Sequence, residues 1–200
     1  MHKIKEILIG TNNIGKYEEI CNLLPDNIKK YSPEKLNIIS PEENGKSFKE
    51  NSFIKASYFS KKTNLICLSD DSGLEIDLLK GMPGIFSSRW SGDKNNFDLA
   101  MEKIYVEMNK INKKWINHNN ARFKCCLTLY WPSGKSYSSK GVIEGKISPI
   151  KKGENGFGYD PIFIPSGYKK TFGEMDPKLK MSIDHRYKAF LSIKKFFNKL

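Results

Sequence analysis

Two stretches of the chain carry residues whose types and spacing suit phosphate chemistry. The first is Gly10-Thr11-Asn12-Asn13-Ile14-Gly15-Lys16-Tyr17, which follows an apolar run and comes within one residue of a phosphate-binding P-loop. That pattern asks for Ser or Thr after the lysine, because the short hydroxyl ligates Mg²⁺, and the phenol of Tyr17 cannot take its place. A strand, then residues 11–16, then a helix start still gathers backbone N–H groups and a lysine ammonium, which suits phosphate. The second stretch is Asp70-Asp71-Ser72-Gly73, at the end of the apolar run 65–69. A carboxylate at a strand end is a natural Mg²⁺ ligand. The same pattern resembles a Walker B element, which keeps a P-loop NTPase releasing orthophosphate as the competing reading. If the strand continues, the two aspartates face opposite sides and only one enters a given site.

Two further clusters point to a base rather than a phosphate. In Gly156-Phe157-Gly158-Tyr159-Asp160 the glycines let backbone approach a ligand closely, the rings of Phe157 and Tyr159 offer stacking faces, and Asp160 offers an acceptor. Lys180, His185 and Arg186 form a cluster of donors, with Asp184 placed to cap the last helix.

The elements that must position these groups alternate in type. Residues 3–9 read as a strand, 16–24 as a helix stopped by Pro25, and 36–39 as a second strand. A capping box, Ser47-Phe-Lys-Glu50, opens a helix over 47–63, and 65–69 reads as a buried strand. A short strand over 74–79 and an amphipathic helix over 97–108 follow. Residues 109–120, rich in Asn, read as a surface loop. Residues 122–131 and 135–147 flank the turn Pro132-Ser133-Gly134 as a hairpin, and 185–200 forms a last helix with Phe190, Ile193, Phe197 and Leu200 on one face. The pattern predicts an α/β fold with a mixed, twisted central sheet flanked by helices.

Two hundred residues suit one domain with a sizeable core. The apolar runs are short, so we expect no membrane span and no secretory signal, and a cytoplasmic protein. The four cysteines form no Cys-x-x-Cys pair and are expected to be reduced, mostly in the core. The net charge of +12 raises a nucleic-acid reading, which the dispersion of the lysines argues against. Only Arg89, Arg122 and Arg186 among 34 basic residues are arginine, which marks them as places needing a planar charged fork.

Taken together, the motifs resemble the inosine/xanthosine triphosphate pyrophosphatase family, in its bacterial form. The resemblance rests on Thr11-Asn12-Asn13-x-Gly15-Lys16, Phe48-x-Glu50-Asn51-Ser52-x-x-Lys55-Ala56, Ser69-Asp70-Asp71-Ser72-Gly73-Leu74, Gly81-x-Pro83-Gly84, Phe157-Gly158-Tyr159-Asp160-Pro161 and His185-Arg186, in order from Ile7 to about Phe197. It implies a single domain over 1–200, in two lobes with the active-site cleft between them. It also implies Mg²⁺-dependent hydrolysis of ITP, dITP and XTP to the monophosphate and pyrophosphate, by a homodimer that binds no nucleic acid. By the same resemblance Thr11, Asn12, Asn13, Ile14, Gly15, Lys16 and Lys55 hold phosphates, and Ser72 lies beside them. Asp71 is the essential carboxylate, with Asp70 helping through charge, and Glu42 is the second metal ligand, with Glu43 beside it open as the alternative. Phe157, Gly158, Tyr159, Asp160, Lys180, His185 and Arg186 hold the base. Asn12 stands where the family usually has Gly and is expected at positive φ. At the ordinary carboxylate pKa of about 3.9, Asp71 would be a weak base, which favours a role as metal ligand and water orienter, with proton acceptance as the second reading.

Overall fold

The computed structural model of the chain describes residues 4–92 and 96–197. The elements run β1 (Glu6–Ile9), α1 (Ile14–Leu23), β2 (Lys29–Tyr31), α2 (Phe48–Thr63), β3 (Cys67–Ile76), α3 (Phe97–Ile111), β4 (Asn120–Tyr130), β5 (Ser136–Ile147), β6 (Phe163–Pro165), α4 (Pro177–Ile183) and α5 (His185–Ile193), with short 3₁₀ turns between them. The strands pair in the order β2-β1-β3-β4-β5-β6. β1 lies parallel to β2 and β3, whereas β6 is antiparallel to β5, so the sheet is mixed as expected.

The chain divides into two compact units. One comprises the chain up to Asp71, Cys125–Gly141 and the chain from His185 onward; the other comprises Ser72–Lys124 and Val142–Asp184. In the first, β1 is covered on both faces. Ile7 and Ile9 pack with Ile20 of α1 and with Ala189, Phe190 and Ile193 of α5, while Leu8 packs with Phe59 of α2. β3 keeps the same alternation, with Leu68 on the α1/α5 face and Cys67 on the α2 face. Burial of both faces explains why the two strands read as continuous apolar runs. In the second unit α3 supplies Ala100, Met101, Ile104 and Met108 to a core shared with Leu74, Phe123, Phe163 and Phe172.

Several sequence expectations are corrected. Residues 36–39 are not a strand: Asn37 turns the chain at φ 53° and Ile39 is 83% exposed. The second parallel strand is Lys29–Tyr31, a short edge strand whose lysines hide it from any apolar pattern. Residues 67–76 form one strand, not two, because Asp70-Asp71-Ser72-Gly73 continues the ladder instead of turning. The segment 109–120 holds the end of α3 and a 3₁₀ turn, Trp115–His118, whose Trp115 is buried and stacks on Tyr105. The last helical region is two helices and a 3₁₀ turn, with Asp184 between α4 and α5. Lys3 and Leu200, expected in the first strand and last helix, lie outside the described residues.

Candidate active site

β1 ends against β3 more closely than a side chain would permit. A Cβ on Gly10 would stand 2.0 Å from Ser69 Oγ and 2.9 Å from the Phe59 ring, so only glycine fits. The Ser69 hydroxyl donates to the Gly10 carbonyl (3.1 Å) and the Gly10 N–H to the Leu68 carbonyl (2.9 Å), which fixes where the following loop begins. Thr11, itself buried, accepts from the Asn13 N–H (3.2 Å), and Asn13 caps α1 by accepting from the Lys16 N–H (2.9 Å). Ile14 already begins α1, so Gly15 and Lys16 stand in the first helical turn. A P-loop instead keeps its Gly-x₄-Gly-Lys as an open cradle before the helix, and that reading is set aside. Asn12 is not at positive φ; outside glycine, the described residues there are Asn37, Asn64 and Lys80. Its amide donates to Ser40 Oγ (3.0 Å).

The alternation of β3 sends Asp70 and Asp71 to opposite faces. Asp70, fully buried, lies on the α1/α5 face, where its Oδ2 is 3.2 Å from Lys16 Nζ and 3.2 Å from Arg186 Nη2. Arg186 turns its other terminal nitrogen to Glu19 of α1. Asp71 lies on the α2 face, accepting from Asn51 Nδ2 (3.1 Å) and standing 3.9 Å from Lys55 Nζ. Lys55 also reaches Glu43 Oε1 (3.1 Å). Burial pushes the Asp71 carboxyl from 3.8 up to about 6, against the attraction of Lys55 and Lys16 and with added repulsion from Glu43 and Asp70. Burial also opposes the Lys55 charge, yet Asp71, Glu43 and Asp70 outweigh it and hold the ammonium above its ordinary range.

Asn51 is fully buried and joins the acidic loop to this centre. Its carbonyl accepts from the Gly45 N–H (2.8 Å), which turns its amide donor toward Asp71. Glu50, meanwhile, closes only half of the expected capping box. Ser47 accepts from the Glu50 N–H (3.2 Å), but the Glu50 carboxylate accepts from the Lys46 N–H (2.8 Å).

The second unit holds the other cluster. Lys180 Nζ meets Asp160 Oδ2 at 2.5 Å, both side chains buried, and lies over the rings of Phe157 (5.0 Å) and Phe172 (5.5 Å). Asp160 Oδ2 also accepts from the Phe157 N–H (2.9 Å). Gly156, at φ 77°, permits this turn, since a Cβ there would fall 2.0 Å from that oxygen. A cavity of about 630 Å³ opens beside it, lined by Phe157, Gly156 and Gly158 and by Asn96, Phe97 and Met101 around the start of α3.

The sequence-predicted residues thus fall into groups. Thr11, Asn12, Asn13, Ile14, Gly15 and Lys16 form the end of β1, its loop and the first turn of α1; Lys55 and Asp71 meet in the same unit. Ser72, half-buried, follows Asp71 on β3. Glu42 is exposed, and it is Glu43 that reaches Lys55. Gly158 sits at φ 67° in the Phe157–Asp160 turn. Tyr159 offers no stacking face: it is 2% exposed, its hydroxyl donates to the Ser87 carbonyl (2.7 Å) and its ring meets Phe97 edge-on. Lys180, His185 and Arg186 are all buried rather than a solvated basic turn, with Lys180 held by Asp160 and Arg186 by Asp70 and Glu19. Asn51 and Glu19 were missed as site residues, while Glu43 stood only as the alternative to Glu42. Asn51 stands in the motif around Lys55 and was legible there, whereas Glu19 is marked only by its tertiary partner.

Fold and centre define an α/β protein that gathers lysines and carboxylates just beyond the carboxyl end of β1, beside the middle of its parallel neighbour β3, close to the usual ligand position in such sheets. The Ham1 family pattern matches residues 7–196. A dITP/XTP pyrophosphatase of Bartonella quintana is 38% identical over 198 residues, covering 93% of this chain and 92% of that protein. Another, from Oceanobacillus iheyensis, is 38% identical over 200 residues, covering 98% and 99%. The HAM1 protein structure from Coxiella burnetii superposes with a TM-score of 0.85 at 34% identity over 95% of this chain and 96% of that one. That of the Staphylococcus aureus Ham1 protein gives 0.82, also at 34%, over 96% and 97%. The chain belongs to the Ham1 family.

Proposed function

We propose that the protein hydrolyses the aberrant purine nucleoside triphosphates ITP, dITP and XTP to the nucleoside monophosphate and pyrophosphate, acting as one pyrophosphatase over the whole chain. The observation that carries this reading is the Asp71 centre: a buried carboxylate pushed up to about 6, beside a buried lysine that it shares with Glu43. Lys16 and the first turn of α1 present positive charge to the triphosphate, and Lys55 adds a second ammonium. A carboxylate at about 6 is a far better proton acceptor than one of ordinary pKa. Asp71 therefore orients the attacking water, and can take its proton where the carboxylate is not itself bound to a cation, while Asn51 holds the carboxylate in place.

The donor set fits a divalent cation. Asp71 and Glu43 bring two carboxylates to one ammonium, so the centre is one positive charge short. Among the described residues no three acidic, histidine or cysteine side chains cluster as a ready-made metal site. Mg²⁺ takes one or two carboxylates and completes its shell with water and substrate phosphates. Asp71 with Glu43 would hold it, Glu42 being the alternative from the same loop. When bound it supplies charge to the phosphates and acidifies water.

Phe157 and Lys180 are the base-recognition arm of the same reading. A lysine ammonium donates to the 6-keto oxygen of hypoxanthine or xanthine and leaves the amino group of adenine without a partner, and such mismatches give strong rejection. A cytoplasmic homodimer without nucleic-acid affinity belongs to this reading, supported by the family resemblance; no helix of the described residues is long and apolar enough to cross a membrane. The test is hydrolysis of ITP with the products identified. IMP and pyrophosphate are expected; IDP and orthophosphate would refute the proposal.

A further inference from the structure

The first two turns of α2 carry the groups that serve Asp71, yet they have little apolar seat on the sheet. Their buried residues are Asn51, Ser52 and Lys55, and the buried apolar ones, Ala56 and Phe59, come later in the helix. Phe53 meets Tyr130 of β4 edge-on but is itself exposed, and apolar contact is non-directional, so it sets register weakly. Asn51 and Lys55 do not set it in a working site, because a phosphate or cation at Asp71 competes for the bonds they make there.

A polar contact between this part of α2 and the sheet lies outside the site. Ser52 Oγ is 2.7 Å from Thr128 Oγ1 of β4, and Thr128 Oγ1 is 2.9 Å from Ser138 Oγ of β5. Ser52 and Thr128 are fully buried. Ser52 also donates to the Lys49 carbonyl (3.0 Å). Each hydroxyl has one proton, so all three bonds are made together only when Ser138 donates to Thr128 and Thr128 to Ser52. The Cys126 thiol, on the same face of β4, is a weak donor beside both buried hydroxyls. Hydrogen bonds of this length tolerate little displacement, whereas a slide of α2 by one residue is about 1.5 Å.

We propose that Ser52 and Thr128 are positioning residues: their hydroxyl bond, oriented by Ser138, sets the register of α2 on the sheet and so holds Asn51 and Lys55 at Asp71 while substrate draws on them. The inference rests on the Asp71 centre being the one that acts in the proposed function. Ser52 is next to Asn51 and one turn before Lys55, so a slide or roll of α2 that parts it from Thr128 also moves both site groups.

The test compares variants in steady-state hydrolysis of ITP, with urea melts alongside. Thr128→Val keeps the volume and loses the hydroxyl, and kcat is expected to fall about tenfold or more with KM within about threefold. Thr128→Ser keeps the hydroxyl and leaves a methyl-sized gap, so it should lower stability yet keep kcat within about twofold. A purely structural role would instead make kcat follow stability. Ser52→Ala should match Thr128→Val, and the double variant should be no more than about twofold worse than either, because both remove the same bond. If Thr128→Val does not fold, Ser52→Ala carries the test, alanine being the best helix former. A second readout needs no turnover: the Asn51 side-chain amide resonances of the nucleotide-free protein should move in Ser52→Ala and Thr128→Val and stay near the parent's in Thr128→Ser. The proposal is overturned if Thr128→Val or Ser52→Ala keeps kcat, if Thr128→Ser loses as much as Thr128→Val, if the two losses multiply, or if the Asn51 resonances do not move. The expected resonance pattern in a parent that leaves ITP intact would uphold the register claim while refuting the proposed function.

Discussion

At Asp70-Asp71 the two faces of one strand carry the same residue type in opposite electrostatic settings. On the α1/α5 face Asp70 and Glu19 meet Lys16 and Arg186, the second a guanidinium whose charge is permanent. On the α2 face two carboxylates share Lys55, one charge short, and Asp71 is pushed up to about 6. Strand period alone makes the assignment. The comparison teaches that neighbouring residues of one type acquire different electrostatics from what packs on each face of the strand: Asp70 meets Lys16 and Arg186, whereas Asp71 meets Lys55 and Asn51.

The sharpest way to break the comparison is Asp71→Asn, which we expect to lower kcat by about 10²–10⁴-fold. The same change should stabilise the metal-free fold. A carboxylate raised from 3.8 to about 6 favours folding below pH 4 and loses that contribution as pH rises through 6. At pH 8 its ionised form therefore costs up to about 3 kcal/mol, and a neutral isostere recovers roughly 1–3 kcal/mol. Urea melts without divalent ions should show the gain at pH 8 and none at pH 4; a loss at pH 8 would contradict the assigned setting.

Asn51→Leu comes next. It strands the Gly45 N–H and removes a donor from Asp71, at a cost of about 1–3 kcal/mol in a urea melt. The acid limb of the kcat/KM profile should move to higher pH, because the ionised carboxylate loses a hydrogen bond. An unmoved limb would mean that the amide is packing alone. Gly156→Ala carries the comparison to the second unit. The added Cβ collides with Asp160 at a position of positive φ, so we expect a cost of about 1–3 kcal/mol and a raised KM for ITP with kcat little changed. Arg122→Ala should have the smallest effect. Its guanidinium meets Glu144 at 2.9 Å and Asp77 at 2.8 Å, but both acids are largely exposed, so the loss should stay within about 1 kcal/mol with unchanged kinetics.

Much of this was legible beforehand, for identifiable reasons. The helices over 48–63 and 97–111 and the β4–β5 hairpin declare themselves by caps, apolar period and the Pro-Ser-Gly turn. β2 did not, because an edge strand of Lys-Lys-Tyr has no buried face to pattern. β3 was split because two aspartates and a glycine resemble punctuation, and only tertiary cations make two buried carboxylates tolerable within a strand. α4 was missed although Asp176 as cap and Pro177 at the first position are standard start signals. In the site, the opposite facing of the two aspartates follows from the strand period. Arg122 and Arg186 each prove to be forks between carboxylates, and Arg89 lies on the Phe86 ring. Glu19 could not be found by pattern, because its partner Arg186 lies far off in the chain, and the choice of Glu43 over Glu42 as the partner of Lys55 depends on how the acidic loop packs against α2. Burial, which no pattern announces, raises the Asp71 carboxyl.

The most direct test sets Asp70→Asn beside Asp71→Asn in steady-state hydrolysis of ITP at saturating Mg²⁺. Strand alternation with one deficient face predicts that kcat collapses in Asp71→Asn, whereas Asp70→Asn keeps kcat within about tenfold of the parent. Equal losses of kcat at the two positions, or a greater loss at Asp70, would contradict the account.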